Sequence, residues 1–307
     1  MTAPTAWKSK ATLCQQATRS QISHASIPQA TRTVVQVEHS ARLTLFGDIR
    51  LQIGGREIAL NCRKAKALLA YLSLTPGMKE TRSRLVGLLW SESDETRARA
   101  SLRQLLHTVR ETFDHEGVVG FSADKLKVGL DSSITTDLDH ALASIHRGNP
   151  LECLVNEMHI SETLLAGYDD IDPAFTHWVG VLRETVRQRL VRALEAQLCE
   201  MSHPIMQIKH IARALFQVDP THELACQKLM RAHVETGDVA GALVAYKRLW
   251  MQLEQDHDIE PSSDTQELVV AIKCGTYRPA APNRAVSDVT AISASVRERK
   301  LSTVPAM

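Results

Sequence analysis

The chain has 307 residues, 44% apolar and only 4% aromatic, with 36 Lys+Arg against 35 Asp+Glu and a formal net charge of +1. Its length suggests two domains at about 100–200 residues each, and no apolar run approaches the roughly 18 residues of a membrane-spanning helix, so a soluble protein without membrane contact is expected. The near-neutral total hides an asymmetry: residues 42–110 hold 13 Lys+Arg against 6 Asp+Glu (net +7), whereas residues 136–278 hold 13 against 21 (net −8), the pattern of a nucleic-acid-binding half joined to one that binds something else.

Residues 1–37 contain no Asp or Glu and are rich in Ser, Thr, Ala and Gln, with Lys8, Lys10, Arg19 and Arg32. This composition mimics a mitochondrial transit peptide but lacks the compact apolar stretch of a secretory signal. Residues 1–40 are expected to be a disordered tail, or the product of a start codon placed too early.

Folding signals begin near Ala41 and define an expected first domain, 41–135. Leu43–Gly47 and Ile49–Ile53 are strand-like, and Gly54-Gly55 is a two-residue hairpin turn into Arg56–Leu60. The paired glycines lack the GxGxxG spacing of a phosphate-cradling loop. A first helix is expected from Arg63 to Leu74, stopped by Pro76-Gly77. Thr81 caps a second through Leu85, Leu88 and Leu89, closed by Trp90.

The stretch from Trp90 to Arg110 is the most informative in the chain. Leu102, Leu105, Leu106, Val109 and Phe113 recur at the spacing of one buried helical face, and Ser93 or Asp94 stands at the cap position. At roughly 100° per residue, Arg99, Arg103, His107 and Arg110 fall on one flank beside that seam. The flank is either a solvated basic face or a surface for a polyanion. Val118–Phe121 and Leu126–Leu130 then pair as a hairpin around Ser122–Lys125. Strands, three helices and a hairpin are the order of a winged helix-turn-helix, in which the third helix enters the major groove and the hairpin rides the backbone. The candidate DNA-contacting residues are Arg63, Lys64, Arg82, Arg97, Arg99, Arg103, His107, Arg110, Lys125 and Lys127. Arginine suits guanine edges and phosphates alike, so no one of them is assigned to a base.

Residues 136–278 read as an all-α domain. Short helices are expected at 137–147 and 161–166. Asp172-Pro173 opens a long one whose apolar face carries Phe175, Trp178, Leu182, Val186, Leu190, Leu194 and Leu198. Phe175 and Trp178 keep the register of that face and read as core rather than as a ligand cage. Two helix pairs follow, 205–217 with 222–236 and 239–255 with 264–273. Asp219-Pro220 is expected to start the second helix of the first pair, and Ser263 with Gln266 to form a capping box for the last helix. Antiparallel pairs of this length resemble tetratricopeptide repeats, whose stacked faces receive a peptide or protein. Capping and dimerising the first half is the other reading. From Pro279 onward, Pro, Ala and Ser dominate, and residues 279–307 are expected to be a disordered tail.

Arg63–Leu72 followed by Leu88–Leu105 resembles the corresponding words of the bacterial SARP-type transcriptional activators. Their N-terminal domain is similar to the output domain of OmpR/PhoB-type response regulators. Leu164–Tyr168, Asp172–Trp178 and Gly237–Tyr246 stand where that family's bacterial transcriptional activation domain carries similar words, so the resemblance spans roughly residues 42–275. It implies a mainly α protein, a winged helix followed by a tetratricopeptide-like helical domain, whose partners are double-stranded DNA, RNA polymerase subunits and a second copy of the chain. The third helix departs from the family by ending His107-Thr108-Val109-Arg110, with fewer permanent charges.

Other chemistries find little support. The six cysteines, Cys14, Cys62, Cys153, Cys199, Cys226 and Cys274, show no CxxC spacing and read as reduced thiols of a cytoplasmic protein. The 13 histidines form no HExxH or similar pairing, so neither metal nor cofactor is expected. Asp169, Asp170 and Asp172 form a carboxylate cluster, but they precede a helix start, where acids serve capping and dipole needs. No nucleophile or cofactor loop accompanies them, and no catalytic residue is assigned. The expectation is a cytoplasmic, sequence-specific DNA-binding regulator. The alternative is an interaction scaffold whose winged helix has lost DNA affinity.

Overall fold

The computed structural model describes residues 41–200 and 203–278. The tails expected at 1–40 and 279–307, and Cys14, lie outside the described residues. Among those residues are ten α-helices and two small sheets.

Strands β1 (Ala41–Thr44), β2 (Arg50–Ile53) and β3 (Arg56–Ile58) form the expected antiparallel meander. Gly54 and Gly55 both take positive φ, 57° and 82°, the conformation a two-residue type I′ turn requires. A fourth strand went unforeseen. β7 (Ile134–Thr136) returns from the far side of the domain and pairs parallel with β1, Ala41 opposite Ile134. The expected boundary at 135/136 thus falls within a strand.

Helix α1 (Arg63–Leu74) buries Ala65, Ala67, Leu68, Leu69, Ala70, Tyr71 and Leu72. Strand β4 (Lys79–Thr81), also unforeseen, leads into α2 (Arg82–Leu89), whose first turn is capped by the Thr81 hydroxyl accepting from the Arg84 amide at 3.3 Å. After α3 (Glu95–His115), the hairpin is β5 (Phe121–Ala123) and β6 (Lys127–Leu130), with a turn at 124–126 that is shorter and later than expected. β4 pairs with β6, placing Lys79 opposite Gly129. A Cβ on Gly129 would lie 2.5 Å from Lys79 Cγ, so the missing side chain is what admits β4.

The helical half comprises α4 (Asp137–His146), the short α5 (Glu152–Asn156), the long α6 (Pro173–Leu198), then α7 (Ile205–Val218), α8 (Glu223–Glu235), α9 (Val239–His257) and α10 (Ser263–Lys273). The helix expected at 161–166 is instead a 3-10 turn at Ile160–Thr163, and α5 was not foreseen. Two start signals are corrected. Asp219 does not begin α8; its carboxylate accepts from the Thr221 amide and hydroxyl and pairs with Arg187, and the His222 ring caps the helix through the Ala225 amide at 3.2 Å. Ser263 is the first residue of α10 rather than its cap. Glu223 of α8 takes the Ser262 amide and the Ser262 and Thr265 hydroxyls, so a neighbouring helix supplies what the local capping box was expected to supply.

One apolar core runs through both halves, from Ala41 to Ile272. Phe175 is fully buried, and Trp178 packs between it (5.1 Å) and Tyr71 of α1 (4.9 Å), so both aromatics are core. Two aspartates join the halves through backbone groups. Asp137, at the start of α4, accepts from the Leu45 and Phe46 amides at 2.9 and 3.0 Å. Burial pushes its carboxyl above the usual range, against the pull of those N–H groups. Asp172 caps α6 by accepting from the Ala174 amide (3.0 Å) and holds Ser91, in the turn between α2 and α3, through both its amide (2.9 Å) and its hydroxyl (2.5 Å).

Replacing Asp172 by Ala is expected to cost about 1–3 kcal/mol, since it uncaps a helix and leaves the part-buried donors of Ser91 and Ala174 without their acceptor. Asp170→Ala, which removes only an exposed ion pair, is expected to unfold at a midpoint close to that of the wild type. Urea unfolding of the two variants measures the difference as a shift in midpoint at constant slope.

Candidate nucleic-acid interface

Helix α3 is positioned from three sides. Asp94, one of the two cap residues expected, accepts from the Thr96 and Arg97 amides at 3.1 and 3.2 Å. Ala98, Leu102, Leu105, Leu106, Val109 and Phe113 form its buried seam. Phe113 meets Phe121 of β5 with ring centroids 5.6 Å apart, fixing the C-terminal half of α3 against the hairpin. The seam leaves the adjacent flank outward by necessity, since a helix buries one stripe and exposes the rest.

That flank, the start of α2 and the hairpin tip together enclose a groove. Arg82, Arg103, His107 and Arg110 line one part, and Arg82, Arg99, Arg103 and Lys125 line the adjoining part. No Asp or Glu is among the lining residues. Six candidates from three elements therefore converge on one concave, cation-lined surface, the kind that attracts a polyanion.

The cations there are not equivalent. Arg82 Nε donates to the Asp124 carbonyl at 2.7 Å, and Arg110 donates to the Ala123 carbonyl at 2.8 Å, so two arginines tether the hairpin to the helices. Arg99 pairs with Glu95 one turn back at 2.5 Å, and His107 lies 3.3 Å from Glu111. These exposed pairs are weak and exchangeable. Arg103 is exposed and lines both parts of the groove. At the tip, the Asp124 carboxylate accepts from the Leu126 and Lys127 amides at 2.7 Å each. These bonds, the Lys127 one foremost, hold its carboxyl below the usual range. Lys125, beside them, is exposed, and Leu126 is 75% exposed.

The remaining candidates lie elsewhere. Arg63 is bound to Asp170 and the Gly167 carbonyl of the helical half and stacks 5.5 Å over Tyr168. Lys64 donates to the Leu89 carbonyl and sits 4.7 Å over the Trp90 ring; burial lowers its ammonium below the usual lysine range. Arg97 is exposed but lies about 120° around α3 from Arg103. Lys127 is exposed at the start of β6 and does not line the groove.

Sequence reasoning missed Ser83 and Thr96, which line the groove at the first turns of α2 and α3. Thr96 stands seven residues before Arg103 and shares its flank, so the periodicity that found the arginines also held this hydroxyl. Among the described residues no group of three or more His, Cys, Asp or Glu is disposed to hold a metal ion, and the five cysteines there are free. No helix there is long and apolar enough to cross a membrane.

Residues 161–273 match the family model described as bacterial transcriptional activator domain. Among solved structures, the fold is similar to Mycobacterium tuberculosis EmbR in complex with low affinity phosphopeptide, with 19% sequence identity, 86% of this chain and 72% of that chain covered, and a TM-score of 0.53. At this identity the likeness concerns the fold: small N-terminal sheets and a winged helix followed by a helical domain. No curated protein matches the chain.

Because Arg110 holds the hairpin carbonyl, Arg110→Ala is expected to speed amide exchange across residues 123–127 while leaving the α3 seam protected. Hydrogen–deuterium exchange of the two proteins checks this.

Proposed function

We propose that this chain, which carries a region matching the bacterial transcriptional activator domain, is a SARP-type transcriptional regulator that binds double-stranded DNA sequence-specifically in the cytoplasm. The single observation carrying the reading is the groove at α2, α3 and the hairpin, where Arg82, Arg99, Arg103, His107, Arg110 and Lys125 converge with no carboxylate among the lining residues. Helix α3 lies in the major groove, Arg103 reaches base edges, and Lys125 with Lys127 follows the backbone. Arg99 and His107 exchange their intrahelical partners for phosphate oxygens. Arg63 and Lys64 take no part in this contact, because neither lines the groove: Arg63 lies against Asp170 of the helical half and Lys64 against the Leu89 carbonyl.

The helical half contributes differently. Its excess of acid opposes any contact with phosphates, each of which needs a cation. Its roles are dimerisation and contact with RNA polymerase subunits, and the regulation it serves is activation.

A gel-shift titration at several salt concentrations tests the reading. Arg103→Ala is expected to weaken promoter binding by roughly 1–3 kcal/mol and to relax base preference, whereas Arg63→Ala leaves affinity unchanged. A steep loss of affinity with salt is expected for the wild type. Absence of any shift, even at low salt on random duplex, would instead favour an interaction scaffold.

A further inference from the structure

The helical half exposes an apolar surface outside the proposed DNA contact, with the half-buried Leu243 and Tyr246 packed on the core at its base and Val244 and Met251 exposed above them. Leu243, Tyr246, Trp250 and Met251 of α9 line a shallow groove with Lys247 and with Lys273 of α10. Met251 is 57% exposed and Val244, one heptad earlier on the same face, 67% exposed. Tyr246 and Trp250 meet with centroids 6.0 Å apart and fill the floor. Aliphatic and aromatic side chains gathered on one outer face, in a domain with an excess of acid, mark a surface built to be covered.

The charges on that face say by what. Lys247 and Glu254 are both exposed, and neither is in an ion pair among the described residues. They lie seven residues apart on one flank, bracketing Trp250 and Met251 symmetrically. A helix packed antiparallel on its own copy, about a twofold axis through 250/251, brings residues into register whose numbers are equally far from that centre. Lys247 then faces the partner's Glu254, the partner's Lys247 faces Glu254, and the Trp250-Met251 step packs on itself. We propose that the outer face of α9 is a self-association surface on which a second copy of this chain docks through its own α9, antiparallel, with two Lys247–Glu254 pairs flanking the Trp250-Met251 centre.

The contact is isologous and closes at two copies. One 19-residue helix against its copy lies at the small end of stable interfaces, so the dimer is concentration-dependent. This deepens the dimerisation part of the regulator reading. It is tested without DNA, so its failure and the failure of DNA binding are separable.

Sedimentation velocity of the full chain, from about 1 to 100 µM, reads the association. Wild type is expected to shift from monomer to dimer across that range. Lys247→Glu and Glu254→Lys are each expected to weaken association at least about tenfold, because each sets like charges against each other twice, and the double exchange K247E/E254K is expected to restore it. All of these residues are exposed, so the variants keep the fold. A wild type monomeric throughout, a dimer indifferent to both single changes, or one not rescued by the double exchange would overturn the proposal. Single-site DNA affinity in the same variants is expected to stay at the wild-type value.

Discussion

The architecture turns on one carboxylate shared between two backbone ends. Asp172 accepts from the first turn of α6 and, with its other hydrogen bonds, takes the amide and hydroxyl of Ser91 in the α2–α3 turn. A helix start needs an acceptor, and a tight interhelical turn leaves a donor without a partner. One side chain meets both needs. The orientation of α3 is thereby coupled to the long helix of the other half through hydrogen bonds as well as through the Tyr71–Trp178–Phe175 stack beside them. Asp137 repeats the device at the sheet, where α4 begins against the amides of Leu45 and Phe46. The two halves are therefore joined by local satisfaction of backbone groups and not by side-chain charge pairs alone.

This has a consequence for how the positive charge is deployed. Cations near the junction meet partners outside the groove: Arg63 meets Asp170 and the Gly167 carbonyl, and Lys64 the Leu89 carbonyl and the Trp90 face. Arg82 and Arg110 are committed to carbonyls of the hairpin, which sets the width of the groove while keeping their guanidinium charge inside it. Arg99 and His107 are held only by exposed intrahelical partners, and Arg103 and Lys125 project from the walls. The surface proposed to meet DNA is thus graded, from cations that shape it to cations free to rearrange upon it.

The helical half shows why capping is a tertiary matter as much as a local one. The Asp219-Pro220 and Ser263-Gln266 pairs carry the right residue types, yet α8 is capped by His222, and at the start of α10 it is Glu223, across the helix pair, that accepts from the Ser262 amide and the Thr265 hydroxyl. Asp219 is drawn to Thr221 and Arg187, and Gln266 to the Pro261 carbonyl and Glu260. Any acceptor of suitable reach can satisfy a helix end. Local spacing identifies that a start is near without deciding which oxygen serves it.

What could be read from the residues alone was whatever depends on neighbours within a turn or two. The leucine seam and basic flank of α3, the Gly54-Gly55 turn, the Asp172-Pro173 helix start and the repeat-like helix pairs are all local periodicities or local backbone preferences, and the structure carries each of them. The parallel return of β7 to β1, the insertion of β4 beside Gly129 and the contacts of Arg63 with Asp170 and of Lys64 with the Leu89 carbonyl were decided by the folded chain, because each joins segments remote in sequence. A cation's sequence position sets its helical flank. Only packing determines whether a carbonyl or a carboxylate from elsewhere in the chain reaches it first.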